Sequence, residues 1–176
     1  MKKTLFVAII LVITALFCSC GENTEAPAGM KAVESSDDLN YNFFIPDAWT
    51  QDLSTGAVSA YYSTGDTSNV SITTFNIDDY EKTLDDYVNE YMTGLDENLG
   101  EFTLSEGYPQ NTLLGGFGAS KLEYTATFSG TSYKYMQILC IYRGNMYVFT
   151  YTSNAEKYDS HLEEVNVMLD NFSFKQ

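Results

Sequence analysis

Between residues 84 and 99 apolar side chains recur at steps of three and four. Leu84, Val88, Tyr91, Met92, Leu95 and Leu99 form one stripe, and Asp85, Asp86, Glu90, Asp96 and Glu97 fill the positions between. That period predicts an amphipathic helix laid on a sheet. Thr83, three residues ahead of Asp86, is read as a helix-start signal, and Gly100 as the stop. Elsewhere the period is two. Leu122, Tyr124, Ala126 and Phe128 alternate with Lys121, Glu123, Thr125 and Thr127, the mark of a half-buried strand within a long run over 113–128. Gly130 and Arg143-Gly144-Asn145 then turn the chain into strands over 133–142 and 146–152, so three consecutive strands form a meander. Upstream, residues 41–49 read as a short aromatic strand stopped by Pro46, with Trp49 folding back onto the core. Residues 58–62 and 70–75 read as a hairpin around a loop over 65–69. A last helix carries Tyr158, Leu162, Val165, Met168 and Leu169 on one face, and Phe172-Ser173-Phe174 returns as a short strand. Strands, helix, strands, helix is an α+β order: an antiparallel β-sheet with helices packed on it.

The N terminus is of another kind. Lys2 and Lys3 precede an apolar run over 5–17, about the length of a secretory hydrophobic region and short of the ~20 residues of a bilayer span. Cys18-Ser19-Cys20 follows. Ser19 before Cys20 resembles the lipobox of bacterial lipoproteins, which implies acylation of Cys20 as the first mature residue. Phe17 and Cys18 depart from that pattern, which prefers Leu and a small residue there. An uncleaved anchor or a plain secretory signal are the alternatives. The expected organisation is a lipoprotein signal peptide over 1–19, a lipidated cysteine and flexible Pro/Gly-containing tether over 20–39, and one domain over 40–176.

Charge narrows the partners. Removing residues 1–19, which hold two lysines and no acids, takes the formal charge from −15 to −17. Nucleic acid and anionic lipid headgroups repel such a surface, so no nucleic acid partner is expected. With Cys20 acylated and Cys18 discarded, Cys140 is the remaining thiol. It is read as a buried strand residue, and the fold must stand on packing without a disulfide.

Candidate chemistry is sparse. The single histidine, His161, lies beside Glu163 and Glu164 and is read as a solvated helix residue, so no catalytic residue is assigned. No phosphate-cradling or dinucleotide motif is present, and Gly115, Gly116 and Gly118 are read as a bend or bulge. No cofactor is therefore called. Carboxylates cluster at Glu34, Asp37 and Asp38, and again at Asp78, Asp79, Glu81, Asp85 and Asp86, but without the spacing of a calcium loop, so no metal site is assigned. Fourteen tyrosines remain. Tyr87, Tyr133 and Tyr135 fall beside or off the expected core phase, and their amphipathic rings suit an interaction surface. The competing reading is that strands favour tyrosine for its fit to a pleated surface.

Three local patterns carry a family resemblance: Phe43-Phe44-Ile45-Pro46-Asp47-Ala48-Trp49; Gly118 leading into Leu122-Glu123-Tyr124; and Tyr147-Val148-Phe149-Thr150-Tyr151 ahead of a helix ending in Met168-Leu169-Asp170-Asn171-Phe172. Over residues 40–174 the chain resembles the PsbP-like domain, an α-β-α sandwich shared with a eukaryotic Ran-binding nuclear transport factor and small bacterial lipoproteins. The resemblance implies docking on other proteins rather than catalysis. The expected role is a lipid-anchored, extracytoplasmic accessory protein docking on an unidentified envelope protein; a small-ligand or divalent-cation binding lipoprotein is the alternative.

Overall fold

The computed structural model describes residues 25–33, 39–55 and 57–176. Four short strands come first: β1 (Met30–Ala32), β2 (Tyr41–Asn42), β3 (Phe44–Pro46) and β4 (Thr50–Asp52). Then follow β5 (Val58–Ser63), β6 (Asp66–Asn76), helix α1 (Leu84–Asn98), β7 (Gly100–Leu104), β8 (Gln110–Leu114), β9 (Phe117–Phe128), β10 (Thr131–Tyr142) and β11 (Asn145–Asn154). A 3-10 turn, Tyr158–His161, leads into helix α2 (Leu162–Asp170), and β12 (Ser173–Phe174) closes the chain. One antiparallel sheet of eight strands runs in the order β4-β5-β6-β11-β10-β9-β7, with β8 sharing the outer edge of β9.

Alternation along the long strands splits the core into two layers. One face of the sheet presents Val70, Ile72, Met136, Ile138, Tyr147, Phe149 and Tyr151 to Tyr158, Val165 and Met168 of the C-terminal helical segment and to Tyr41, Phe43 and Ile45 near the N terminus. The opposite face presents Leu122, Tyr124, Leu139 and Val148 to Val88 and the flanking Leu84, Met92 and Leu95 of α1. Helices thus lie on both faces. The α+β expectation is what the molecule shows, and no described helix is long and apolar enough to cross a membrane.

Local chemistry sets several element boundaries. Thr83 caps α1 through a reciprocal box: its hydroxyl accepts from the Asp86 N–H at 3.2 Å, and the Asp86 carboxylate accepts from the Thr83 N–H at 2.9 Å. Two-residue turns at Ser129-Gly130 and Arg143-Gly144, all at positive φ, join the meander strands with the twist such hairpins require. Trp49 is fully enclosed, as expected from its fold-back after Pro46.

Five details differ from the expectations. Residues 113–128 are not one strand, because Gly115 and Gly116 at φ +57° and +85° reverse the chain completely between β8 and β9. Helix α1 does stop just ahead of Gly100, but not through a left-handed glycine cap: Leu99 leaves the helix extended and Gly100 opens β7, where a Cβ would stand 3.2 Å from the Thr127 carbonyl. The loop expected over 65–69 shrinks to the Thr64-Gly65 tip, and Asn69 pairs with both Tyr61 and Thr152 inside the sheet. The strand expected over 41–49 is divided among β2, β3 and the start of the approach to β4. The fold also reaches upstream of residue 40, since β1 pairs with β3 and Val33 is buried. Residues 1–24, and with them Cys20, lie outside the described residues.

Candidate functional site

Helix α1 lies over β7, β9 and β10. On the same face, β4, β5, β6 and β11 carry side chains that alternation alone would leave polar: Ser59 and Tyr61 on β5, Asn69 and Ser71 on β6, Thr150 and Thr152 on β11. The register aligns them in rows across the strands. One row runs Asp52, Ser59, Ser71, Thr150 and Gln137; the next runs Thr50, Tyr61, Asn69, Thr152 and Tyr135. Half of one sheet face is thereby a hydroxyl- and amide-bearing surface beside α1.

Gln137 marks the boundary of the covered half. Its amide nitrogen donates to the Tyr91 hydroxyl of α1 at 2.9 Å and to Thr150 Oγ1 at 3.1 Å, and its oxygen accepts from the Tyr124 hydroxyl at 3.1 Å. Burial pushes the Tyr124 and Tyr91 phenols above their ordinary range, so all these groups act as neutral hydrogen-bonding partners at neutral pH. Tyr135 stacks on Tyr124 with ring centres 4.8 Å apart and planes 12° from parallel. Burial, with neighbouring Tyr133 second, raises the Tyr135 phenol as well.

The three tyrosines singled out from sequence are all half-buried. Tyr133 and Tyr135 share the α1 face of β10, opposite Asn154 and Thr152 of β11. Tyr87 belongs to α1, where its hydroxyl donates to the Asp79 carbonyl at 2.8 Å and Lys82 stands 5.5 Å from its ring centre. It is tied to the segment before α1, whereas Tyr135 is tied to the sheet.

A concavity of about 470 Å³ opens over β4, β5 and β6, lined by Asp52, Ser59, Tyr61, Thr67, Asn69 and Ser71 among others. Asp52 Oδ1 accepts from the Ser54 hydroxyl at 2.6 Å and from its N–H at 2.8 Å, and these bonds hold the carboxyl below the usual carboxylate range. Sequence reasoning did not single out this region. Its signal was the run of Ser, Thr, Asn and Tyr on the outward phase of the 58–75 hairpin.

His161 is a correction. It is 7% exposed rather than solvated, because the 3-10 turn carries its ring inward beneath Trp49 and Tyr62. Nδ1 lies 2.7 Å from Glu164 Oε2 and Nε2 lies 3.4 Å from Asp66 Oδ2, so both ring nitrogens face carboxylates. Among the described residues neither nitrogen is bonded to a hydroxyl or thiol. Burial raises the Asp66 carboxyl, but bonds from the Ser68 hydroxyl and N–H, from Lys157 and from His161 outweigh it and bring it down to about 2. The cluster pins the start of α2 to the 58–76 hairpin.

Cys140 is fully buried, as expected, and burial pushes its thiol up to about 11. Among the described residues no group of three or more His, Cys, Asp or Glu side chains could hold a metal ion. Within the acidic segment, Asp86 caps α1 and Asp79 accepts from the Glu81 N–H at 3.0 Å. Glu34, Asp37 and Asp38 lie outside the described residues.

No protein-family model matches the chain, and no curated protein sequence matches it significantly. Solved structures do. Cyanobacterial PsbP from Synechocystis is similar with a TM-score of 0.59 at 17% identity, covering 90% of this chain and 98% of that one. The Ran-binding protein Mog1p of Saccharomyces cerevisiae gives 0.55 at 10% identity, covering 82% and 95%. A Pseudomonas aeruginosa protein of unknown function gives 0.53 at 17% identity, covering 81% and 94%. These likenesses span nearly the whole of each relative and agree with the two-faced sheet described above: the chain has the PsbP-like fold.

Proposed function

We propose that this protein is a lipid-anchored, extracytoplasmic accessory protein that docks on another protein of the bacterial envelope and performs no catalysis. The observation that carries the reading is the half of the α1 face that no described residue covers beside the helix, bordered by Tyr133 and Tyr135. A tyrosine there presents a large ring and a polar tip on a rigid strand, at small entropic cost on binding. Tyr135 is fixed in advance by its stack on Tyr124. Supporting the non-catalytic reading, the sole histidine of the sequence is engaged by two carboxylates and the Cys140 thiol is sealed in the core. Docking is also what Mog1p, with the same fold, is named for: it is Ran-binding.

The anchor is proposed from residues 1–20 alone. Cys20→Ala should release the protein from membranes to the soluble fraction; retention would favour an uncleaved signal anchor. Docking is tested by photo-crosslinking in intact cells from position 133. An adduct formed from that position and lost from the opposite face of the molecule supports the reading.

A further inference from the structure

We infer that the concavity over β4, β5 and β6 is a binding site for a neutral saccharide. The concavity lies on the same half-face as the docking surface, at its β4–β6 end away from Tyr133 and Tyr135, and the inference goes beyond the docking reading by assigning that end a small ligand.

Size permits a small ligand. The cavity's volume of about 470 Å³ falls within the usual small-ligand range, about 300–1,000 Å³. Its floor is rigid, because the polar groups stand on paired strands of one sheet. Asp52, Ser59 and Ser71 occupy one row across β4, β5 and β6, and Tyr61 and Asn69 occupy the next across β5 and β6. Neighbouring strands are about 4.8 Å apart, so groups in a row are within reach of one small polyol.

The chemistry of the lining decides the class. Several groups are left with unused hydrogen-bonding capacity. Asn69 donates its amide to the Thr67 carbonyl at 2.9 Å, which leaves its oxygen as an acceptor. Both bonds accepted by Asp52 fall on Oδ1. Ser59, by contrast, is spent: it donates to the Asp52 carbonyl at 3.2 Å and meets Thr55 Oγ1 at 2.8 Å, which stiffens the floor. A carboxylate beside an amide oxygen and hydroxyls accepts from the vicinal hydroxyls of a sugar, and the Tyr61 ring adds an aromatic surface for its C–H face.

Competing ligand classes fit worse. Among the described residues the lining includes no Lys, Arg or His to neutralise a phosphate or carboxylate, and the formal charge of −15 repels one further. A divalent hard cation needs several carboxylate or carbonyl oxygens at short range, and among the described residues Asp52 is the one carboxylate in the lining.

The test is titration of the full-length protein in detergent with cellobiose and N,N′-diacetylchitobiose, followed by amide chemical shifts, with glucose 6-phosphate as the charged control. The expected result is saturable shifts confined to β4, β5 and β6 with at least one neutral disaccharide and none with the phosphate. Asp52→Asn and Tyr61→Ala should each weaken that binding by about tenfold, with an unchanged unfolding midpoint for Asp52→Asn confirming an intact fold. Absence of saturable shifts with both disaccharides overturns the inference, as does equal binding of glucose 6-phosphate. Binding unaffected by either substitution overturns it too.

Discussion

Gln137 on β10 donates its side-chain amide to the hydroxyl of Tyr91 on α1 at 2.9 Å, at the line where the helix stops covering the sheet. This is a polar tether between two layers that also share an apolar cluster. Gln137 is 6% exposed and also serves Tyr124 and Thr150, so the two partners of the bond are not equivalent. Gln137→Ala strands the buried Tyr124 hydroxyl and should cost about 2–3 kcal/mol, whereas Tyr91→Phe leaves Gln137 its bond to Thr150 and should cost about 1 kcal/mol. Urea unfolding of the two variants, compared at constant m, checks the order.

Asp66 makes the stability pH-dependent at the acid end. Its carboxyl is held at about 2 in the folded protein, against about 3.9 in an unfolded chain, so the folded state binds fewer protons in that interval. The contribution is fully present above about pH 4 and is lost as pH falls toward 2. Unfolding measured between pH 5 and 2 should show stability falling, and Asp66→Asn should flatten that slope while lowering stability at pH 5.

Gly115 and Gly116 both sit at positive φ in the β8–β9 turn, yet they should differ in tolerance. A Cβ on Gly115 would lie 2.9 Å from a Phe174 ring carbon and 3.2 Å from one of Phe172, while a Cβ on Gly116 meets nothing within 4 Å. Gly116→Ala carries the backbone penalty alone, about 1 kcal/mol; Gly115→Ala adds overpacking against two rings and should cost about 2–4 kcal/mol. Thermal melting separates them.

Cys140 should be silent in the native protein. Fully buried, with its thiol pushed up to about 11, it presents almost no thiolate at neutral pH. Alkylation by iodoacetamide at pH 7.5 should require denaturant; rapid labelling of the native protein would contradict the buried placement.

Much of the architecture is legible in the chain because it is written in local periods. The three- and four-residue spacing from Leu84 to Leu99 and the alternation through Leu122, Tyr124 and Ala126 each decide an element within a few residues of its true bounds. What escapes is whatever a distant partner decides. Residues 66–69 carry turn chemistry, but Ser68 meets Ser153 at 2.8 Å and Asn69 pairs with Thr152, so the sheet recruits them. His161 reads as exposed until Asp66, 95 residues away, is placed beside its ring. Met30–Ala32 has no period of its own and becomes a strand only against β3. The candidate surface follows the same division. Alternation shows that Ser71 and Thr150 share a face, but which half of that face α1 covers is set by packing between layers.

The most direct test of the docking account places a photo-crosslinking amino acid at position 133 on β10, or at position 167 on α2, where Val167 is exposed on the far side of the sheet. Both proteins are expressed in intact cells with the anchor retained. The account predicts a discrete, reproducible protein adduct from position 133 and none from position 167, with the adduct reduced by Tyr135→Ala in a protein that still melts cooperatively. Adducts of the same kind from both positions, or from neither, would contradict it.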